Sequence, residues 1–285
     1  VAVDDLEMGV THTIRAKDHA DNAKRQKIIH EYLGKKTPES VFLGRINFED
    51  MPVSSSQTRK AIEEGKYDGW DDPRLPFIAA FQKRGYQPEA FLKYAVSVGM
   101  SLTDKTVKKE EFFKQLNHFN KEVIDEASNR YFFVWDPVSI KIKNAPSQEV
   151  ELNLHPDKRK GGRKFKTNNT FYVTKEDFEG FKPEKIYRLM DCLNVVPKNN
   201  AVIDFHSVEY AVFKEKGEKI IHWLPKEKDL CKVEVVMPDA NKVKGLGEPL
   251  LKTLDPGTIV QLERFGFCRL VEKKKNKLVF WFAHR

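Results

Sequence analysis

The sequence predicts a multidomain chain of mixed α and β structure: the later part of an open α/β sheet, then a helical region, then one or two all-β barrels. Three observations carry this expectation. Residues 1–50 alternate strand-like apolar runs with one capped helical pattern, which suits an open α/β sheet. Residues 50–128 hold helical periodicities. After Arg130, ten short alternating or β-branched runs fall within 155 residues, punctuated by Gly, Pro, Asn and Asp, the pattern of barrels.

Each element follows in order. VAVDD at 1–5 is an apolar run closed by acids and reads as a buried strand. GVTHTIR at 9–15 reads as a second, with Val10, His12 and Ile14 alternating against Thr11, Thr13 and Arg15. Asp18 caps a helix through Leu33, with Gly34 as its stop. VFLGRINF at 41–48 is the next strand. Ser56 caps a short helix ending near Gly65. Asp72 caps another, with Pro73 at its favoured first position, running to Gly85. Pro88 opens a third, with Phe91, Ala95 and Val98 on one face, and TVKKEEFFKQLNHF with the segment around Val123 continues the helical pattern. The strand-like runs are YFFVWDP, SIKIKNA, EVELNLH, TFYVT, NVV, AVIDFHSVEYAVF, KIIHWLP, KVEVVMP, TIVQLERFGFCRLVE and KLVFWFA. The change of texture places a domain boundary near 125–130.

Composition narrows the function. A length of 285 residues suits about two domains, and 40% apolar residues supply a core. A formal charge of +8 favours polyanionic partners. Cys192, Cys231 and Cys268 are scattered without a CxxC pair, which argues against a disulfide framework or zinc site and for a reducing, intracellular compartment. No apolar run approaches the ~18 residues of a membrane span, and VAVDDLEMGV is not a signal peptide. The absence of an initiator Met points to a piece of a longer protein. No GxSxG, HExxH, GxxxxGK[ST] or GxGxxG occurs, so serine hydrolases, zincins, P-loop enzymes and standard dinucleotide enzymes lack their sites.

Three stretches carry chemistry. Ser54, Ser55 and Ser56 lead into a helix bearing Gln57, Arg59 and Lys60. Small hydroxyls, free N–H groups and the positive helix end suit a phosphate; the alternative is a solvated cap. Arg15 ends an apparent strand, where α/β sheets bind ligands, and its guanidinium can hold a carboxylate bidentately; the alternative is a surface pair with Asp18. His12 and His19 lack an obvious third ligand for a metal. DKRKGGRKFK at 157–166 carries six cations against one acid, and KKKNK at 273–277 reads as a hairpin turn. Such basic loops beside Tyr131, Phe132, Phe133, Trp135, Phe165, Phe171 and Tyr172 suit stacked bases and phosphates; the alternative is core aromatics and solvated lysines.

In combination these segments are more specific. GVTHTIRAKDHADNAKRQ, SSSQTRKAIEEGKYDGWDDPRLPFIAAFQKRGYQPEAF, NRYFFVWDPVSIKIKNAP, HPDK, IIHWLP and VQLERFGFCRL together resemble glutamyl-tRNA synthetases of the archaeal and eukaryotic type, over essentially the whole chain. The related glutaminyl-tRNA synthetases share much of this order. The resemblance implies the C-terminal part of a Rossmann-like class I catalytic domain at 1–70, a helical stem-contact region at 71–128, and two anticodon-binding β-barrels at 129–285. It implies ATP-dependent ligation of glutamate to tRNA(Glu) through a glutamyl-adenylate, with Mg²⁺ accompanying ATP, in the cytoplasm. SSSQTRK stands at the K-M-S-K-S loop, with Gln57 where the family usually has Lys, so Arg59 or Lys60 supplies the charge. Arg15 stands where glutamyl enzymes carry an Arg that reads a substrate carboxylate. Arg130, Arg188, Gln261 and Arg264 match anticodon positions; the alternative for Arg264 is a structural pair with Glu263. Val196 stands where the glutaminyl branch has an Arg. The H-I-G-H signature and the acceptor-stem insertion do not occur. Two other readings therefore stay open: a non-catalytic tRNA-binding fragment, to which these residues taken alone correspond best, and a glutaminyl-tRNA synthetase. tRNA(Gln) and a multi-synthetase complex remain open as further partners.

Overall fold

The computed structural model describes residues 1–51, 53–199 and 202–285. The chain divides into two compact units, Val1–Ser55 with Pro88–Phe119, and Ser56–Gln87 with Asn120–Arg285. In chain order the N-terminal elements are α1 (Ala2–Glu7), β1 (His12–Ala16), α2 (Ala20–Tyr32), β2 (Glu39–Leu43), β3 (Ile46–Phe48), α3 (Ser55–Glu63), α4 (Ile78–Arg84), α5 (Pro88–Val98), β4 (Lys105–Val107) and α6 (Lys109–Ile124). They are followed by β5 (Asn129–Tyr131), β6 (Phe133–Trp135), β7 (Pro137–Lys143), β8 (Gln148–His155), β9 (Arg159–Thr167), β10 (Thr170–Thr174), α7 (Lys175–Glu179), β11 (Ile186–Leu189), β12 (Asn194–Pro197), β13 (Ile203–Ser207), α8 (Tyr210–Lys216), β14 (Gly217–Ile221), β15 (Leu224–Pro225), β16 (Cys231–Val236), β17 (Lys242–Gly247), β18 (Ile259–Leu262), β19 (Gly266–Lys274) and β20 (Lys277–His284).

In the first unit, β1 and β2 pair in parallel with Arg15 opposite Phe42, and β3 pairs in parallel with β4. Its aromatic cluster sets Phe112 edge-on to Phe48 and Tyr94, each at 5.1 Å. Several sequence expectations need correction. VAVDD is the helix α1, not a strand: Asp4 and Asp5 lie in its first turn, where acids complement the helix dipole. VFLGRINF is two strands broken at Gly44, where a Cβ would sit 2.3 Å from the Thr103 carbonyl oxygen. Asp18 does not cap α2, whose N-cap is His19; its carboxylate pairs instead with Arg45. The buried face of α5 is Ala90 and Tyr94, while Ala95 is exposed.

In the second unit the GWDDPRL stretch at 69–75 and the pair Arg84–Gly85 have structural roles. Asp72 does not start a helix, since α4 begins at Ile78. The Asp72 carboxylate is buried and accepts from the Asp68 and Arg74 backbone N–H groups and from the Arg74 guanidinium, closing a turn. Arg84, at the end of α4, donates to the carbonyls of Phe282 (3.1 Å) and Ala283 (2.9 Å) on β20. Gly85 terminates that helix at φ 103°, a backbone conformation open to glycine.

Two seven-stranded sheets fill the rest. One runs β14-β11-β12-β13-β7-β10-β15 and the other β5-β18-β19-β20-β16-β17-β6. The end strands of each sheet are neighbours in the chain: β14 and β15 are separated by His222 and Trp223, and β5 and β6 by Phe132 alone. So short a link brings the two edges of each sheet together, and each curls toward closure as a barrel. The 131–134 stretch serves both. Phe132 and Val134 enter the core of the first barrel with Phe171, Leu189 and Trp223, while Tyr131 and Phe133 enter the core of the second with Val233, Leu262 and Phe280. Period-two alternation of an apolar run thus feeds two cores at once.

Further corrections fall here. Tyr131, Phe132, Phe133, Phe165 and Phe171 are buried core residues, not stacking platforms. DKRKGGRKFK is not a loop: most of it forms β9, paired with β8 so that Lys164 faces Glu151 and Lys166 faces Glu149. AVIDFHSVEYAVF starts at Ala201, outside the described residues, and divides into β13 and the helix α8. The segments 186–189 and 242–247 are strands that the run count omitted.

Candidate phosphate loop and nucleic-acid interface

Ser55 and Ser56 form the first turn of α3, preceded by Ser54, and all three are exposed. Thr58 turns inward at 3% exposure, leaving Gln57, Arg59 and Lys60 facing solvent. Inward Thr58 fixes the rotation of the helix, and that rotation leaves the hydroxyls and cations outside. Lys60 makes a loose contact with Glu64, at 3.8 Å. The stretch therefore offers donors and charge at a helix start.

Arg15 is 19% exposed on β1 and donates to Gln26 Oε1 at 2.6 Å; its nearest carboxylate is Asp5, at 3.6 Å. The expected alternative partner, Asp18, is engaged by Arg45. His12 meets Glu39 at 3.4 Å, and no group of three or more metal-ligating side chains forms among the described residues.

In the second barrel the register sets Gln261 opposite Arg130 on parallel strands. Arg264 follows in the β18–β19 turn with φ 60°, a left-handed conformation uncommon for a non-glycine residue. Gly266 closes that turn at φ 143°, where a Cβ would lie 2.6 Å from the His284 carbonyl oxygen. Arg188 lies in the first barrel, 6% exposed, donating to Asn194 Oδ1 (2.9 Å) and the Val208 carbonyl (3.1 Å) beside the Tyr210 ring. The structure therefore brings Arg130, Gln261 and Arg264 to one end of the second barrel, and it holds Arg188 through partners of the first.

Three of these four residues keep a buried polar atom without a hydrogen-bond partner among the described residues: Arg130 Nε, Arg188 Nε and Gln261 Oε1. Asp125 Oδ1 and Arg159 Nη2 share that state, and both residues border β5: Asp125 contacts Arg130 at 3.8 Å and Arg159 donates to Asn129 at 2.6 Å. Buried polar atoms are nearly always satisfied, and His30 Nδ1, His155 Nε2 and Asp204 Oδ1 elsewhere in the chain share the unpartnered state.

Arg264 is held by residues that the sequence reading missed. Its two terminal nitrogens donate to Asp177 at 2.6 and 2.9 Å, and Lys219 meets the same carboxylate at 2.8 Å. The alternative considered for Arg264, a pair with Glu263, is in the structure a pair with Asp177. Burial would raise the Asp177 carboxyl, but hydrogen bonds from Arg264 and Lys219 outweigh it and hold the pKa at about 2. His222, at the seam of the first barrel, donates from Nε2 to the Phe133 carbonyl at 2.7 Å, and its Nδ1 faces Arg264 at 3.1 Å. Burial and the adjacent guanidinium push its pKa down to about 4, so it stays neutral and accepts from Arg264. Beside this cluster, Arg163 of β9 makes a buried ion pair with Glu248, which also accepts from the Phe132 N–H. Burial raises the Glu248 carboxyl against the pull of Arg163. One signal was available: Thr174 and Asp177 form an [ST]-x-x-[DE] cap, with the Asp177 N–H bonded to the Thr174 hydroxyl at 3.1 Å. The pairings with Arg264 and Glu248 span 87 and 85 residues and leave no local trace.

Family models match the chain in three stretches. Residues 1–126 match the family of class I tRNA synthetases (E and Q), catalytic domain, and residues 128–211 and 220–271 match two anticodon-binding domains of the same class. The chain is 40% identical over 294 residues to a glutamate–tRNA ligase of Thermococcus kodakarensis, 40% over 293 to that of Pyrococcus abyssi, and 38% over 287 to that of Methanothermobacter marburgensis. Each similarity covers all of this chain and 50% of the relative, so the chain spans about half the length of the curated relatives it matches. The chain belongs to the class I tRNA synthetases of the E and Q type.

Proposed function

We propose that this chain supplies the phosphate-contacting loop and the anticodon-reading barrels of an ATP-dependent glutamate–tRNA ligase of the cytoplasm. The observation that carries the reading is the match of residues 128–211 and 220–271 to anticodon-binding domains, the stretches that bear Arg130, Arg188, Gln261 and Arg264. Planar donor and acceptor arrays of this kind suit base edges. Arg264 presents its remaining N–H donors from a guanidinium already fixed by Asp177 and His222. Similarity to glutamate–tRNA ligases along the whole chain supports the same reading.

In the reaction a glutamate carboxylate oxygen attacks the α-phosphorus of ATP and pyrophosphate leaves. A hydroxyl of the tRNA terminal ribose then attacks the glutamyl carbonyl and AMP leaves. Ser54, Ser55 and Ser56 donate to phosphate oxygens, and Arg59 and Lys60 offset their charge. Arg15 exchanges its loose Asp5 contact for the substrate's side-chain carboxylate. An amide there would leave the guanidinium underpaired, which favours glutamate over glutamine. Among the described residues no side-chain cluster fits a resident metal, so Mg²⁺ is assigned to ATP itself. We place the domain limits at 1–70, 71–128 and 129–285. The main partner is tRNA(Glu); tRNA(Gln) and a multi-synthetase assembly are secondary proposals.

No H-I-G-H segment occurs in these residues, so the chain by itself is assigned tRNA binding without glutamate activation. ATP–pyrophosphate exchange tests this. The expected result is no glutamate-dependent exchange by the 285-residue chain; exchange above background would reject the non-catalytic assignment.

A further inference from the structure

Away from the seam, six lysines line one cavity of about 540 Å³ in the second barrel: Lys232, Lys252, Lys273, Lys274, Lys275 and Lys277. No acidic residue lines it. The strand register makes the crowding specific. Lys232 lies opposite Lys277 on β16–β20, and Lys274 lies opposite Lys277 on β19–β20. Like charges directly opposite one another destabilise a sheet. Two carboxylates relieve part of this, Glu234 at 2.8 Å from Lys277 and Glu272 at 3.2 Å from Lys274. Two other ammonium groups are oriented by backbone carbonyls: Lys273 donates to Lys252 O at 3.0 Å, and Lys252 donates to Asp229 O. Lys232 and Lys275 have no carboxylate partner among the described residues.

This cavity is distinct from the Arg264 turn. β19 starts at Gly266, next to that turn, and ends at Lys274. At a rise of about 3.3 Å per residue the two ends lie roughly 25 Å apart. A half-enclosed space of this size suits a small ligand, and a cluster of six cations suits one whose charges are equally clustered. A nucleic-acid backbone spreads its charges along a line instead.

We propose that the lysine cavity binds a compact, multiply phosphorylated anion, independently of anticodon reading. Calorimetric titration of the whole chain with inorganic tripolyphosphate at about 150 mM salt tests this. The expected result is saturable binding with a component that is weakened roughly tenfold or more by the double variant Lys232→Gln/Lys275→Gln, and that persists both when the phosphate loop is altered (Arg59→Gln/Lys60→Gln) and in the exposed control Lys35→Gln/Lys36→Gln. Thermal melting guards against misfolding. The cavity variant keeps or raises the melting temperature at low salt, and tripolyphosphate raises the melting temperature of the unaltered chain and of the control by more than that of the cavity variant. Absence of saturable binding, equal weakening by the cavity variant and the exposed control, or unchanged tripolyphosphate binding with weakened tRNA binding in the cavity variant would each overturn the proposal.

Discussion

Asp177 is the residue on which the proposed reading of Arg264 depends. Its side chain is 1% exposed and ties together Arg264, Lys219 and Thr174. Asp177→Asn keeps the shape but leaves two cations without their counter-charge, and Arg264 sits on a strained backbone that needs support. Because the cations are partly exposed, the expected destabilisation is about 2–3 kcal/mol, read by urea unfolding at neutral pH. Affinity for tRNA should fall as well, with the salt slope little changed, because no phosphate contact is removed. A variant as stable and as tight-binding as the parent would show that Asp177 does not position Arg264. Residues of this kind are hard to read from sequence. Arg264 stood next to Glu263 in the chain, and only the fold reveals that its partner lies 87 positions away.

At the scale of elements, the β8–β9 hairpin is fastened through the buried Arg163–Glu248 pair. Removing one member of such a pair strands the other charge in the interior, at a cost of about 3–5 kcal/mol, whereas replacing both with apolar residues of similar volume costs far less. Arg163→Met should therefore destabilise strongly and speed hydrogen exchange in β8 and β9, and Arg163→Met/Glu248→Met should recover most of that loss. A double variant as unstable as the single would place the hairpin's anchorage elsewhere. This element also shows the limits of reading by composition. Six cations in ten residues suggested a basic loop suited to phosphates, but acids spaced along β8 answer the lysines and the core takes Arg163. Elements with strong periodicity or a proline start, such as α5, β1 and most barrel strands, were legible. VAVDD was not, because five apolar and acidic residues suit either state until Asp4 and Asp5 are seen at a helix N-terminus. For the candidate site, Arg130, Gln261 and Arg264 could be singled out by residue type, but the register that sets Gln261 beside Arg130 could not.

For the molecule as a whole, the two barrels share one strand run and meet through His222, whose ring bonds the Phe133 carbonyl where the sheets close. His222 is buried neutral, with its pKa pushed down to about 4. As pH falls below about 6.5, the unfolded chain takes up a proton that the native ring refuses, so stability is lost down to about pH 4, by about 3 kcal/mol in all. Asp177 acts in the same direction lower on the scale. Its depressed pKa contributes stability above about pH 4, and that contribution is lost as pH falls toward 2. Unfolding midpoints between pH 7 and pH 4.5 should therefore fall more steeply for the parent than for His222→Gln. Parallel slopes would show that His222 titrates normally.

The central claim is that the paired barrels read an anticodon. The most direct measurement is the affinity of the chain for tRNA(Glu), over a salt series, beside the same tRNA with its anticodon altered. The account predicts a loss of about 1–3 kcal/mol for each altered base, on top of a salt slope common to both RNAs. Equal affinities at every salt concentration would mean that a generic basic surface binds the RNA, and the roles given to Arg130, Arg188, Gln261 and Arg264 would be contradicted.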